Sequence, residues 1–312
     1  MENCTNVYMV LNSAEKTAIG TICLMIAPFS LLVNVLVLVV IASSGNLQRH
    51  PSYQFMASLA LADTIACCCF TIAFLDFHLF KSDDSFQRTK YLLRLSGVTI
   101  AFTGSVGSLL LMAVDRYYAI YKPITYKMQL TRKRALVGIV ILWAVAFLIS
   151  FLPLMGWSCN TSLSCSNLFP YVDRSYLAFF ASLVLVVIVL ILIAYALIVW
   201  WAHQHEANMN AEHPGLARMR MDIHLAKTFS CIIVILLVCW LPVLSFMMTD
   251  VVMAELSKPQ KRAFAFCSTL CLLNSGINPL LYTLRCRELR VALKSLVNGL
   301  RRWKGCSAQA SN

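Results

Sequence analysis

Reactive side chains are sparse in this sequence, and their spacing argues against catalysis. The six histidines, His50, His78, His203, His205, His213 and His224, are scattered along 312 residues. Only His203 and His205 are near neighbours, and an i,i+2 spacing sends them to different faces of a helix. No clustered set of His, Asp or Glu suits a metal hydrolase, and no nucleophile–base pair is visible, so neither an enzyme nor a cofactor is expected. Three polar constellations remain. Asp63 stands in the apolar string SLALAD, and Ser105, Asn274, Ser275 and Asn278 fall at comparable depth in other apolar stretches. A carboxylate ringed by hydroxyl and amide oxygens can hold a small hard cation such as sodium; a hydrogen-bonded network without an ion would use the same groups. Asp115-Arg116-Tyr117 ends another apolar stretch. Its guanidinium can pair with Asp115 or reach Asp222, a two-state latch, although snorkelling of a terminal Arg is the simpler account of the tripeptide alone. Pro242 follows Cys239-Trp240, and Pro279 lies in Asn278-Pro279-Leu280-Leu281-Tyr282. Each removes a helix hydrogen bond, which makes a hinge beside polar groups.

The composition says what scaffold must hold these groups. Apolar residues make up 59% of the chain and charged residues 13%, with a mean hydropathy of +0.73. An ordinary soluble domain is about 25% charged, so lipid is the expected solvent. Seven stretches reach the ~20 apolar residues a bilayer demands: 18–43, 53–79, 92–117, 136–155, 175–201, 225–248 and 263–284. The expected fold is an all-α seven-span bundle over 18–284. Residues 1–17 form an outer segment with no cleavable signal peptide, 285–303 an amphipathic surface helix, and 304–312 a tail. In that helix Leu289, Leu293, Leu296, Leu300 and Trp303 form one stripe with Arg and Lys opposite. The net charge of +12 would suggest nucleic acid in a soluble protein. Here the basic residues sit between spans, sixteen on one side and nine on the other, which predicts an extracellular N-terminus, a cytoplasmic C-terminus and no nucleic-acid partner. A transporter should show repeated halves and interrupted spans, and neither is evident.

Most of the 13 cysteines lie within spans. Cys159 and Cys165 share one outer loop, where a disulfide is favoured over two free thiols. Asn3 fits the glycosylation triplet, as does Asn160, which lies too near the bilayer to be modified. Cys286 and Cys306 are palmitoylation candidates.

The ordered set of Asn34, LALAD ending at Asp63, Asp115-Arg116-Tyr117, Trp143, Cys239-Trp240-Leu241-Pro242 and Asn278-Pro279-Leu280-Leu281-Tyr282 resembles the rhodopsin-like G-protein-coupled receptors, over nearly the whole chain. The strings PSYQFMASLALAD, FLDFHLF, TGSVGSLLL, FLPLMGW, ARMRMDIHLAKT and AFAFCSTLCLLNS are similar to the cannabinoid receptors, and the short N-terminal segment and third inner loop look more like type 2 than type 1. Residues 88–95 contain no Cys; the resemblance implies instead a disulfide within one loop, between Cys159 and Cys165.

The resemblance also implies a pocket. Phe70, Phe74, Phe77 and His78 follow helical steps that alone suggest ordinary packing. Carried over from the family, they line a ligand site with Leu95, Val98, Thr99, Phe102, Phe169, Tyr176, Phe180, Trp240, Val243, Met247, Phe264 and Ser268. Phe180 stands where Trp is usual. Val98 occupies the place where amine receptors carry Asp, so a neutral ligand is expected: a fatty-acid ethanolamide or a monoacylglycerol, oriented by Ser268, Thr99 and His78. Phe102 and Trp240 match an aromatic switch pair that works with Pro242, Asn278, Pro279 and Tyr282. Asp115, Arg116, Tyr117, Ile124, Tyr195 and Asp222 match positions for coupling to a heterotrimeric G protein, of the inhibitory class that lowers cyclic AMP. With only two serines after Cys306, arrestin recruitment is expected to be weak. The expected location is the plasma membrane. The alternatives are a receptor for another lipid mediator or, further off, a seven-span hydrolase or transporter.

Overall fold

The computed structural model describes residues 10–78, 88–121, 131–159, 164–207, 215–253 and 255–309; the side chains of 76–78, 202–231, 282, 284–285 and 299–309 are left aside. Eight long helices are present among these residues: α1 Ser13–Ser43, α2 Pro51–His78, α3 Arg88–Tyr121, α4 Arg132–Phe151, α5 Arg174–Ala207, α6 Gly215–Val252, α7 Lys258–Arg285 and α8 Arg287–Gln309. Within the described residues α1 to α7 are long and apolar enough to cross a membrane.

α1 shows how the sequence sorts its faces. Ile19, Cys23, Ala27, Ser30, Asn34, Val37 and Ile41 recur every three or four residues and are buried. Leu24, Met25, Leu32, Leu36 and Val39 are exposed large hydrophobics, suited to lipid rather than water. The helix starts in a capping box. Asn12 Oδ1 accepts from the Glu15 backbone N–H at 2.8 Å, and Glu15 Oε2 accepts from the Asn12 N–H at 2.9 Å. Glu15 also forms an ion pair with Arg262 of α7, so one side chain both starts α1 and ties it to the bundle.

α3 is the central element, in contact with α2, α4, α5 and α6. It approaches α4 closely because Gly107 and Gly104 leave room for Leu142 and Trp143, which a Cβ at either position would meet. Trp143 Nε1 donates to Ser58 Oγ at 3.1 Å, and Ser58 shares a hydrogen bond with Ser108 at 2.8 Å, linking α2, α3 and α4.

The helix limits correct the expected spans. α4 stops at Phe151, short of Met155, because Pro153 has no N–H to continue the ladder. α3 begins at Arg88 and ends at Tyr121, beyond the apolar stretch at both ends. Arg88 and Lys90 at its start do not prevent helix formation, and Tyr118–Tyr121 continues the helix past Arg116. Cys286 alone separates α7 from α8, and its carbonyl accepts from Arg290 N at 3.1 Å. Leu289 is buried, while Leu293 and Leu296 pack on the core; Leu300 and Trp303 lie outside the described side chains.

Candidate functional site

A cavity of about 190 Å³ opens between α2, α3, α5, α6 and α7, at the end of the bundle covered by the loop between α4 and α5. Its lining alternates in helical steps. α2 contributes Phe70 and Phe74, stacked at 6.5 Å with 12° between the rings. α3 contributes Leu95, Val98, Thr99 and Phe102; α5 contributes Tyr176 and Phe180, stacked at 6.3 Å. α6 brings Trp240, Val243 and Met247, and α7 brings Phe264 and Ser268. At the floor Phe102 meets Trp240 edge to face, with centroids 4.3 Å apart. At the roof Phe169 from the loop meets Phe264 edge to face at 5.4 Å.

Every residue expected from sequence to line the pocket does so here except Phe77 and His78, whose side chains lie outside the described residues. The cavity adds Ala73, Tyr91, Arg94, Leu168, Val172, Leu177 and Cys271. Helical spacing could have found Tyr91 and Arg94 from Leu95 and Val98, Leu177 from Phe180, and Cys271 from Ser268. Nothing in the sequence marks Leu168 and Val172. Arg94 brings one basic residue to a wall that is otherwise apolar or weakly polar among the described residues. Thr99 Oγ1 donates to Leu95 O at 2.9 Å and Ser268 Oγ donates to Ala265 O at 2.7 Å, so each hydroxyl offers a ligand its lone pairs. Trp240 Nε1 is buried without a protein acceptor.

The loop over the cavity is held by the Cys159–Cys165 disulfide, with Cα atoms 5.3 Å apart. Ser158 bridges to Val172 and Cys165 to Asp173. Tyr171 adopts a φ of 64°, a backbone region costly for a bulky side chain, and its carbonyl accepts from Cys159 N at 3.1 Å.

Asp63 lies one level deeper, 1% exposed. It accepts from Ser105 Oγ at 3.3 Å, Ser275 Oγ at 3.1 Å and Asn278 Nδ2 at 2.9 Å. Asn34 Nδ2 donates to Ser275 O at 2.9 Å. Asn274, expected in the ring, makes none of these bonds to Asp63, whereas Ser275, expected at the same depth, does. The Asn274 and Asn278 Oδ1 atoms are buried without a donor. One carboxylate, two hydroxyls and two unspent amide oxygens fit the donor set of a small hard cation.

At the far end of α3, Arg116 and Asp115 are 3% and 1% exposed. Arg116 pairs with Asp115, its Nε donating to Oδ2 at 3.0 Å. Ser52 Oγ donates to the same Oδ2 at 2.7 Å, and Arg116 also donates to Ser52. A guanidinium buried this deeply is held by its partners. Tyr195 is buried within Coulombic reach of Arg116. Tyr117 stacks on Tyr121 at 5.3 Å, and Tyr121 meets Trp201 at 5.0 Å. Tyr53, beside Ser52, donates to Glu288 of α8 at 3.0 Å. Pro242 and Pro279 lie inside α6 and α7. Ile124 and Asn3 lie outside the described residues, and Asp222, Tyr282 and Cys306 outside the described side chains. Cys286 is 2% exposed, and burial pushes its thiol up to about 11. A buried, protonated thiol is a poor acceptor for an acyl chain, which argues against the lipid anchor expected there.

Residues 33–282 match the family of the 7 transmembrane receptor (rhodopsin family). Over 302 residues the chain is 46% identical to cannabinoid receptor 2 of Rattus norvegicus, covering 95% of this chain and 82% of that receptor. It is 44% identical over 303 residues to cannabinoid receptor 2 of Homo sapiens, covering 96% and 82%. With cannabinoid receptor 1 of Xenopus laevis the identity is 40% over 307 residues, covering 93% of this chain and 65% of the receptor. These relatives are receptors and not enzymes. Likeness of this extent leaves one assignment: the chain belongs to the rhodopsin family of seven-transmembrane receptors and, within it, to the cannabinoid receptors.

Proposed function

We propose that the chain is a plasma-membrane receptor for neutral lipid agonists, fatty-acid ethanolamides and monoacylglycerols, coupled to heterotrimeric G proteins of the inhibitory class. The observation that carries this reading is the ring-walled cavity, which among the described residues sets no carboxylate against a ligand and rests on the Phe102–Trp240 pair. Each buried methylene of a fatty chain is worth ~0.8 kcal/mol in such a site. The cavity, about 190 Å³, is smaller than the 300 Å³ or so at which ligand pockets usually begin. A fatty ligand must therefore widen it, and the edge-to-face contacts are the joints that give. Separating Phe102 from Trp240 frees α6 to bend at Pro242, and the Arg116 latch opens to admit the G protein. The cavity end faces outward in this reading, with the N-terminus extracellular and α8 on the cytoplasmic surface, as the basic residues direct. Asp63, Ser105, Ser275, Asn274 and Asn278 would hold a sodium ion, whose charge would favour the resting packing of α2, α3 and α7. Arrestin is a secondary partner.

The test is GTPγS exchange on an inhibitory-class G protein in membranes carrying the chain, with a panel of fatty-acid ethanolamides, monoacylglycerols and protonated amines. Stimulation by the neutral lipids alone supports the proposal. Stimulation by amines, with the lipids inert, contradicts it.

A further inference from the structure

Asp250 is a carboxylate with 0% exposure near the last turn of α6, and neither the switch nor the latch uses it. Four donors from three consecutive loop residues converge on it. Ser166 Oγ donates to Oδ2 at 2.5 Å, and Asn167 donates to Oδ1 through its backbone N–H and its Nδ2, both at 2.9 Å. The Leu168 N–H reaches Oδ2 at 3.3 Å. The buried Lys261 of α7 lies within Coulombic reach of the same carboxylate. A turn whose N–H groups point inward forms a small anion nest, and here the protein fills that nest with its own side chain.

The loop segment that Asp250 grips is otherwise closed upon itself. Ser166 N donates to Val172 O at 2.8 Å and Val172 N to Phe169 O at 3.3 Å, while the disulfide ends at the adjoining Cys165. The Ser166 hydroxyl donates to Asp250 and accepts from Phe169 N at 2.9 Å. One hydroxyl thus stands between the carboxylate on α6 and the residue whose ring roofs the cavity. Among the described residues Phe169 has no polar tether to the helices of its own, and its ring meets Phe264 edge to face.

We propose that Asp250 is a positioning residue for the ligand: its carboxylate clamps the Ser166-Asn167-Leu168 turn to the end of α6 and so holds Phe169 down over the cavity. The loop and the end of α6 then move as one piece, and the roof lifts only when these hydrogen bonds break. The inference rests on the cavity being the ligand site, as proposed above. Hydrogen bonds to a charged acceptor are stronger than those to a neutral one. Losing the charge and half the acceptor capacity should therefore raise the open-roof population, and the ligand off-rate, by about tenfold or more.

Two measurements separate this proposal from the functional reading. In the absence of ligand, Asp250→Asn should strip hydrogen-exchange protection from the Asn167 and Leu168 amides. In a Phe169→Cys background it should also speed labelling by a water-soluble maleimide about tenfold, with Asp250→Glu retaining most of the protection. Glu15→Gln, which breaks the α1–α7 ion pair at the same end of the bundle, should leave both readouts alone. With ligand, dissociation of a radiolabelled fatty-acid ethanolamide should accelerate about tenfold in Asp250→Asn. Unchanged amide protection or unchanged labelling overturns the clamp. An unchanged off-rate with the roof demonstrably open overturns its role in holding ligand. If the wild-type chain binds no ethanolamide at all, the functional reading falls, and the ligand-free labelling still decides whether Asp250 shuts the roof.

Discussion

The two ends of α3 are built from different interactions. At the cavity, Leu95, Val98 and Phe102 meet their neighbours through rings and alkyl groups, contacts that are non-directional and tolerate displacement. At the other end, Asp115, Arg116 and Ser52 close a buried charged triangle, which is either made or broken. Between them, Asp63 gathers Ser105, Ser275 and Asn278 from two further helices. The difference teaches how a lipid could be read out. A compliant wall can accept varied chains, and only an all-or-none contact further along can turn a small widening into two distinct states.

The contrast can be broken at the charged end first. Replacing Arg116 by Ala should abolish agonist-stimulated GTPγS exchange while saturable lipid binding is retained; full exchange in that variant would refute the latch. At the compliant end, Val243→Asp on α6 places a carboxylate in the apolar part of the cavity, which costs roughly 2–3 kcal/mol when dehydrated. Affinity for a neutral ethanolamide should fall about a hundredfold in competition binding. Phe102→Ala removes one half of the floor pair, whose geometry is worth about 1 kcal/mol beyond burial, so basal exchange should rise about fivefold. The smallest change is expected from Asp63→Asn. In the wild type, agonist affinity should decline as sodium replaces a bulky organic cation at constant ionic strength, and in the variant it should not. A variant as sodium-sensitive as the wild type would remove the cation from the account.

Much of the fold was legible because a bilayer enforces a simple rule on each span. The three-and-four spacing of Ile19, Cys23, Ala27, Ser30 and Asn34 states in advance which face of α1 is buried. Helix limits were less legible. Hydropathy cannot see that Arg88 belongs to α3, nor can it stop α4 at Phe151 without weighing Pro153. The cavity residues on helices came from family likeness, since aromatic spacing alone suits plain packing equally well. The loop residues Leu168 and Val172 and the clamp on Asp250 were not legible. They depend on contacts across about 80 residues of chain, where local pattern carries no information. Arg94 was visible as a charge but was counted only for orientation, although its four-residue step from Val98 already set it on the cavity side of α3.

The most direct test perturbs the cavity end of α3 and measures the latch end. Spin labels placed at Tyr118 on α3 and Lys227 on α6 in nanodisc-embedded receptor report the distance at the latch end by double electron–electron resonance. Binding of a fatty-acid ethanolamide should shift the distribution to a longer second peak in the wild type, and Phe102→Ala should populate that peak without ligand. A single unchanged distance, in receptor that binds the lipid and still drives nucleotide exchange, would contradict the linkage between cavity and latch.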